Sequence, residues 1–314
     1  MMGGASGKPH KPPPHHHHYH YHHHHHHANF YLTLGEITIR RSLEKAFEHL
    51  HISLVVFHSD DEFNKCDASK YDIIILDPWT WAKKGWVPKD VIKGRDDKIY
   101  ILDFFGSEKL RGSGLNVPPS RVLTAFGSKW NTFLGYYMDD SVVNSIPNTK
   151  KKQQGVIWGK DVKHYTPEKV DQLQRLADSG ITLISTSTSA ILHHSNIKWL
   201  GHVKPSEWLQ ILAESKFLIG LGDPLLGPSA IDAVTFGCMY INPVYDMPKK
   251  EVYLSQHPYA EQSIGKPFVC SYKTNSYNEL QECVNEALHI DLERKIPTEF
   301  TKQSYMNRVN KIFT

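Results

Sequence analysis

Residues 217–243 read FLIGLGDPLLGPSAIDAVTFGCMYINP. An apolar run, Phe217–Gly220, breaks into a Gly/Pro loop. A short amphipathic helix follows, carries one acid at Asp232, and ends at Gly237 before a second apolar run begins at Met239. Strand, glycine-rich loop, helix, strand is how α/β folds present backbone N–H groups to a phosphate at a helix N-terminus. The loop would meet a diphosphate, and Asp232, one turn into the helix, would accept hydrogen bonds from ribose hydroxyls. Any βα unit also needs glycines to turn and an apolar helix face to pack, so the pattern alone leaves the structural reading standing beside the ligand reading.

Working outward, the chain alternates helix and strand. Leu43, Ala46, Phe47 and Leu50 recur at helical spacing and predict a helix over 36–50. Ile52–Phe57, Asp72–Leu76 and Ile99–Phe104 are short β-branched runs of strand length, with Asp77 and Asp103 at or near two of their ends. SVVNSIPNTKKKQQ, 141–154, is polar and reads as a linker. Beyond it come a strand and turn at GVIWGK, a helix over 167–179 stopped by Gly180, a strand at 181–185, and a helix from an N-cap at Ser206 to about Ser215. After the opening motif follow a strand near 268–271, a helix at about 278–288 and an amphipathic helix from Lys302. Two βα series predict an α/β architecture of two Rossmann-like domains facing across a cleft.

Composition narrows the partners. The 314 residues suffice for two domains, and 40% hydrophobic content with 7 tryptophans describes a globular chain. A net charge of +3, without a basic patch interleaved with aromatics, gives no reason to expect nucleic acid. No apolar run is long enough to span a bilayer, so no membrane contact by this chain is expected. Cys66, Cys238, Cys270 and Cys283 show no CxxC spacing, which argues against a zinc site and leaves disulfide pairing open. Twelve of the 21 histidines lie in the tract between His10 and His27, so residues 1–27 are expected to be a disordered tail.

The motifs then become specific. GLGDPLLGPSAIDAVTFGCMYINP, SQHPYAE at 255–261, IGKPFV at 264–269 and IPTEFT at 296–301, with LGE at 34–36, DIIILD at 72–77, ILDFFGSE at 101–108, TFLGYYM at 132–138 and IWGK at 157–160, resemble glycosyltransferase family 18, the N-acetylglucosaminyltransferase V family. The resemblance covers about residues 30–314 and is densest after Gly155. It implies a GT-B fold: an acceptor-side domain over 28–147, a nucleotide-sugar domain over 148–295, and a terminal helix over 296–314 crossing back to the first domain. It also implies a UDP-N-acetylglucosamine donor, the 6-hydroxyl of an α-mannose on an N-glycan as acceptor, inversion at the anomeric carbon, and a Golgi location. No cofactor or metal is implied, in keeping with the lack of a D-x-D sequence.

Residue by residue, Glu36 matches the family's catalytic base, although an acid in a first helical turn is also favoured by the macrodipole. Gly222, Gly227, Pro228, Ser229 and Asp232 match the donor loop and its ribose-binding acid. Lys160 would face phosphate, or be a surface turn lysine. Val203, beside His202, lies where backbone atoms would read the uracil edge. The family's loop carries a glutamate where this chain has Leu226, and the stretch after Pro243 is shorter, leaving Lys249 and Lys250 as phosphate contacts. The histidine tract also stands where the family has its first strand, so the first domain is expected to be incomplete. A non-catalytic relative that binds a nucleotide sugar, and a GT-B transferase with another UDP-sugar or acceptor, are the alternatives.

Overall fold

The computed structural model describes residues 18–22, 34–57, 65, 67–76, 96–104, 117–128, 131–159, 161–250 and 252–314. The first sheet contains, among the described residues, strands β1 (His18–His22), β2 (Ser53–Phe57), β3 (Ile73–Leu76), β4 (Ile99–Asp103), β5 (Val122–Thr124) and β6 (Thr132–Phe133). All pair in parallel, in the order β2-β1-β3-β4-β5-β6. Helix α1 (Leu34–His49) follows β1 and buries Ile39, Leu43, Ala46 and Phe47. These apolar positions recur three and four residues apart, one stripe of the helix.

Strand β1 corrects two expectations. HYHYH at 18–22 lies in the histidine tract, yet it pairs with Ser53–Phe57 on one side and Ile73–Leu76 on the other. These five residues are not a disordered tail, and the sheet is not short of a strand here. The physical reason is the period-two placement of Tyr19 and Tyr21, together with the two flanking strands whose backbone groups need a partner. The rest of the tract lies outside the described residues.

The expected linker is also more structured than its polarity suggests. It holds helix α2 (Asp140–Ser145), where the Asp139 side chain accepts from the Ser141 amide at 3.0 Å. Lys151 is not a solvated linker lysine. Its ammonium donates to the carbonyls of Ser215 at 2.8 Å and Phe236 at 2.9 Å, among others, collecting oxygens left over at helix ends.

The second sheet is built from β7 (Lys152–Trp158), β8 (Thr182–Ser185), β9 (Ile197–Trp199), β10 (Ser215–Gly220), β11 (Met239–Lys249), β12 (Tyr253–Ser255) and β13 (Val269–Lys273). The order is β13-β11-β10-β7-β8-β9, parallel throughout, with β12 antiparallel on the far part of β11. Numbered within the domain this is the 6-5-4-1-2-3 order of a doubly wound fold, with its reversal between β7 and β10. Helix α3 (Pro167–Asp178) follows β7. Helix α4 (Pro205–Glu214) precedes β10, and α5 (Ser229–Thr235) follows it. Ser206 is not the N-cap of α4: Lys204 holds that position, and its amide donates to Glu207 Oε2 at 2.7 Å. Helix α6 (Tyr277–His289) is tied to β13 by a Cys270–Cys283 disulfide.

Helix α7 (Lys302–Phe313) returns to the first domain. Phe313 packs edge-on against Phe47 at 5.0 Å, and Tyr305 stacks near Tyr137 at 5.7 Å. The Arg308 guanidinium donates to the Leu134 carbonyl at 2.9 Å. One apolar cluster therefore runs from α1 through Tyr136 and Phe300 to α4 and α5, and a second fills the opposite face of the second sheet under α3 and α6.

Candidate functional site

In open α/β sheets ligands lie outside the carboxyl ends of the strands where strand order reverses. In the second sheet that place is flanked by the turn after β7 and the loop after β10, residues 221–228. Gly222 has φ +87°, a left-handed conformation that L side chains rarely adopt. Gly227 faces Trp158 so closely that a Cβ would sit 2.4 Å from the indole. Leu226, with φ +53°, is buried in the apolar cluster that joins the two domains. A hydrophobic side chain thus anchors the loop at this point.

Gln256, from SQHPYAE, holds the loop from behind. Its Oε1 accepts from the Gly222 amide at 2.9 Å, its Nε2 donates to the Pro224 carbonyl at 2.9 Å, and its own carbonyl accepts from Leu226 at 3.1 Å. Gln256 and His257 are both fully buried. The imidazole of His257 packs on Phe126 of the first domain at 4.4 Å, and its Nδ1 accepts from the Ala260 amide at 3.1 Å. Burial pushes its pKa down to about 3, so it is a neutral packing group at physiological pH rather than a proton carrier.

Asp232 occupies the first turn of α5, directly after Gly227, Pro228 and Ser229. As a residue it keeps partial exposure, but its carboxyl lies deep enough that burial pushes the pKa up to about 7. The opposing influence is the indole N–H of Trp208 on α4, which donates to Asp232 Oδ2 at 3.2 Å. Trp208 links α5 to α4, whose N-terminal approach carries the half-buried Val203 and the exposed His202. From the first domain, the Tyr136 hydroxyl reaches the Pro228 carbonyl at 3.5 Å. Burial, and after it the Asp232 charge, raise the Tyr136 pKa.

The lysine candidates separate. Lys249 reaches the loop: its ammonium donates to the Gly222 carbonyl at 2.8 Å and pairs with Asp223 at 2.5 Å. Lys250 is exposed in the turn beyond it. Lys160 lies outside the described residues. Glu36 stands half-buried in the first turn of α1. Since α1 follows β1, and strand order in the first sheet reverses between β1 and β3, this turn lies at the carboxyl edge of that sheet. Asp103, its rival by position, is fully buried at the end of β4, and Asp77 lies outside the described residues. No group of three or more metal-ligating side chains is found among the described residues. A cavity of about 470 Å³ lined by Glu261, Cys270, Glu279, Glu282, Cys283 and Glu286 lies against the disulfide and includes none of the donor-loop residues.

Sequence reasoning missed Gln256, Trp208 and Tyr136. SQHPYAE reads as a family motif, but nothing local to it says that its glutamine braces a loop over thirty residues upstream.

Residues 107–314 match the profile of glycosyltransferase family 18. The chain belongs to glycosyltransferase family 18. It is 28% identical over 246 residues to the human alpha-1,6-mannosylglycoprotein 6-beta-N-acetylglucosaminyltransferase A, covering 68% of this chain and 33% of that protein. The mouse B form is 23% identical over 253 residues, covering 68% and 31%. The Caenorhabditis elegans alpha-1,6-mannosylglycoprotein 6-beta-N-acetylglucosaminyltransferase is 27% identical over 201 residues, covering 57% and 29%. The chain spans about a third of the length of these curated relatives.

Among solved structures, Methanocaldococcus jannaschii UDP-GlcNAc 2-epimerase in complex with UDP-GlcNAc and UDP superposes with a TM-score of 0.53 at 10% identity, covering 94% of this chain and 99% of that one. The Staphylococcus aureus MnaA–UDP co-structure gives 0.53 at 10% identity, covering 94% and 95%. The avilamycin A pathway glycosyltransferase AviGT4 gives 0.50 at 9% identity, covering 86% and 87%. At such identities these show the fold, which is the GT-B-like α/β architecture of two facing Rossmann-like domains.

Proposed function

We propose that this family 18 chain is an inverting glycosyltransferase that moves N-acetylglucosamine from UDP-GlcNAc to the 6-hydroxyl of an α-mannose on a glycoprotein N-glycan. The observation that carries the reading is the convergence of the Gly222–Ser229 loop, Asp232 and Lys249 at the strand-order reversal of the second sheet. The uridine ribose hydroxyls donate to Asp232, and the Val203 backbone meets the uracil edge. Loop amides from Gly227 to Ser229 and the Lys249 ammonium face the diphosphate, where negative charge grows as the donor bond breaks. Lys160 and Lys250 are further phosphate contacts in the same reading.

The chemistry is a single displacement. The acceptor O6 attacks C1 of the donor sugar from the face opposite UDP, Glu36 takes the hydroxyl proton, and the C1–O bond breaks with its electron pair leaving on UDP. Gripping uridine at a distance from C1 spends binding energy on placing the reacting atoms. No metal or cofactor is required in this scheme, since lysine and backbone amides neutralise the leaving group. The reading places the chain in the Golgi lumen, and the Cys270–Cys283 disulfide is in keeping with an oxidising compartment.

A transfer assay with a panel of UDP-sugars and N-glycan acceptors, with linkage analysis of the product, tests the proposal. β-1,6-linked N-acetylglucosamine formed equally with and without EDTA supports it. Transfer of another sugar, or donor binding with no transfer, replaces it with the corresponding alternative.

A further inference from the structure

Lys169 was not among the candidates read from the sequence. It lies in the first turn of α3, the helix that follows β7, while the donor loop follows β10. These two strands are neighbours at the strand-order reversal, so the start of α3 and the Gly222–Ser229 loop border one crevice.

The start of α3 is open to an acceptor. Its N-cap, Thr166, makes no side-chain capping hydrogen bond, and Pro167 follows at the first helical position. The amides of Glu168 and Lys169 therefore receive no cap from the side chain that normally provides one. An uncapped helix start is by itself ordinary. The second observation is the Lys169 side chain, which is 7% exposed and whose ammonium has no hydrogen-bond partner among the described residues. Helical side chains lean back toward the N-terminus, which carries this ammonium over the first turn, 6.0 Å from the centre of the Tyr272 ring. A buried cation without an acceptor is costly unless an anion meets it.

The charges nearby leave that role open. Lys249 is a positive neighbour, and Asp223 and Glu168 are negative ones. Asp223 is already paired with Lys249 at 2.5 Å, so one carboxylate stands beside two ammonium groups. Lys163 is held by Asp161 at 2.8 Å, and Glu168 is exposed.

We propose that Lys169 and the uncapped N-terminus of α3 form, with Lys249, the wall that receives the diphosphate of the nucleotide donor. The inference rests on the nucleotide-sugar reading above and adds to it a wall contributed by the β7–α3 unit. The phosphate oxygens accept from the Lys169 ammonium and the first amides of α3 on one side and from the Gly222–Ser229 loop on the other.

Calorimetric titration of the full chain with UDP, uridine and inorganic pyrophosphate tests this. Lys169→Met removes the charge in a side chain of similar length. Thr166→Asp, at an exposed position, supplies a carboxylate that caps the helix and occupies its amides, and it serves if the methionine variant does not fold. Each is expected to weaken UDP by about tenfold or more and to abolish pyrophosphate binding, with uridine affinity unchanged. UDP and pyrophosphate affinities at the wild-type level in folded variants overturn the proposal, as does an equal loss for uridine. Pyrophosphate binding that depends on Lys169 in a protein that does not bind UDP leaves the anion site standing and removes the nucleotide reading. UDP binding indifferent to both variants does the reverse, and a wild-type chain that binds neither ligand overturns both.

Discussion

The indole N–H of Trp208 donates to the Asp232 carboxylate at 3.2 Å, so the acid on α5 is aimed by a residue on α4. A hydrogen bond to the charged form lowers a carboxyl pKa, and here it opposes the upward push of burial. Trp208→Phe should therefore raise the Asp232 pKa further and weaken UDP binding at neutral pH by about 1–2 kcal/mol. Calorimetry across about pH 6–9 should show the binding profile shifted to higher pH. A variant profile that coincides with the wild type would separate Trp208 from the site.

Asp232 itself makes stability depend on pH. Its pKa is about 7 in the folded chain and roughly 3.9 when unfolded. The folded state holds the proton more tightly, so this group's contribution is fully present below about pH 4 and is lost as pH rises through about 7. Asp232→Asn should flatten that slope and be more stable than the wild type at pH 8, by up to a few kcal/mol. The same variant should lose UDP affinity, because an amide replaces a charged acceptor. Urea melts at several pH values, paired with UDP titration, check both signs together.

His257 works in the opposite direction. Its pKa is near 6.5 when unfolded and pushed down to about 3 by burial. The stability it contributes is present above about pH 6.5 and is lost as pH falls toward 3, when the ring must take a charge inside the aromatic cluster. His257→Phe should blunt the acid limb of the stability profile, as read from denaturant midpoints at about pH 4 and 7. An unchanged acid limb would place the acid sensitivity elsewhere.

The turn at Gly222 and the place of Asp232 in the first turn of a helix were legible in the sequence because their signals are local: glycines where the backbone turns, an acid one turn into a helix. The terminal helix was legible too, since Tyr305, Val309 and Phe313 form an apolar stripe that must be buried, and all three are. What escaped was non-local. Gln256 contacts a loop far upstream in sequence, and no pattern around it announces the three hydrogen bonds it makes there. Lys151 belongs to a stretch that reads as a polar linker, and only the ends of α4 and α5, distant in sequence, supply the carbonyls that bind it. The strand His18–His22 was hidden by composition, because a histidine-rich tract reads as low complexity and the pairing partners lie more than thirty residues away.

The Cys270–Cys283 bond closes a short loop between β13 and α6, with a sequence separation of 13. A loop of this size restricts the unfolded chain by about 3 kcal/mol in the chain-entropy account. Reduction, or the double replacement by serine, should lower stability by about that amount and leave UDP affinity intact, since neither cysteine touches the donor loop. Loss of UDP affinity in a reduced but folded chain would contradict this separation.

The enzymatic claim depends on Glu36, placed in the first turn of α1 at the carboxyl edge of the first sheet. The most direct measurement is the turnover of Glu36→Gln with UDP-GlcNAc and an N-glycan acceptor, alongside its affinity for UDP. Loss of the base should cost transfer at least about a hundredfold while UDP binds as in the wild type, because the uridine grip lies in the second domain. Transfer at the wild-type rate by the glutamine variant would contradict the account.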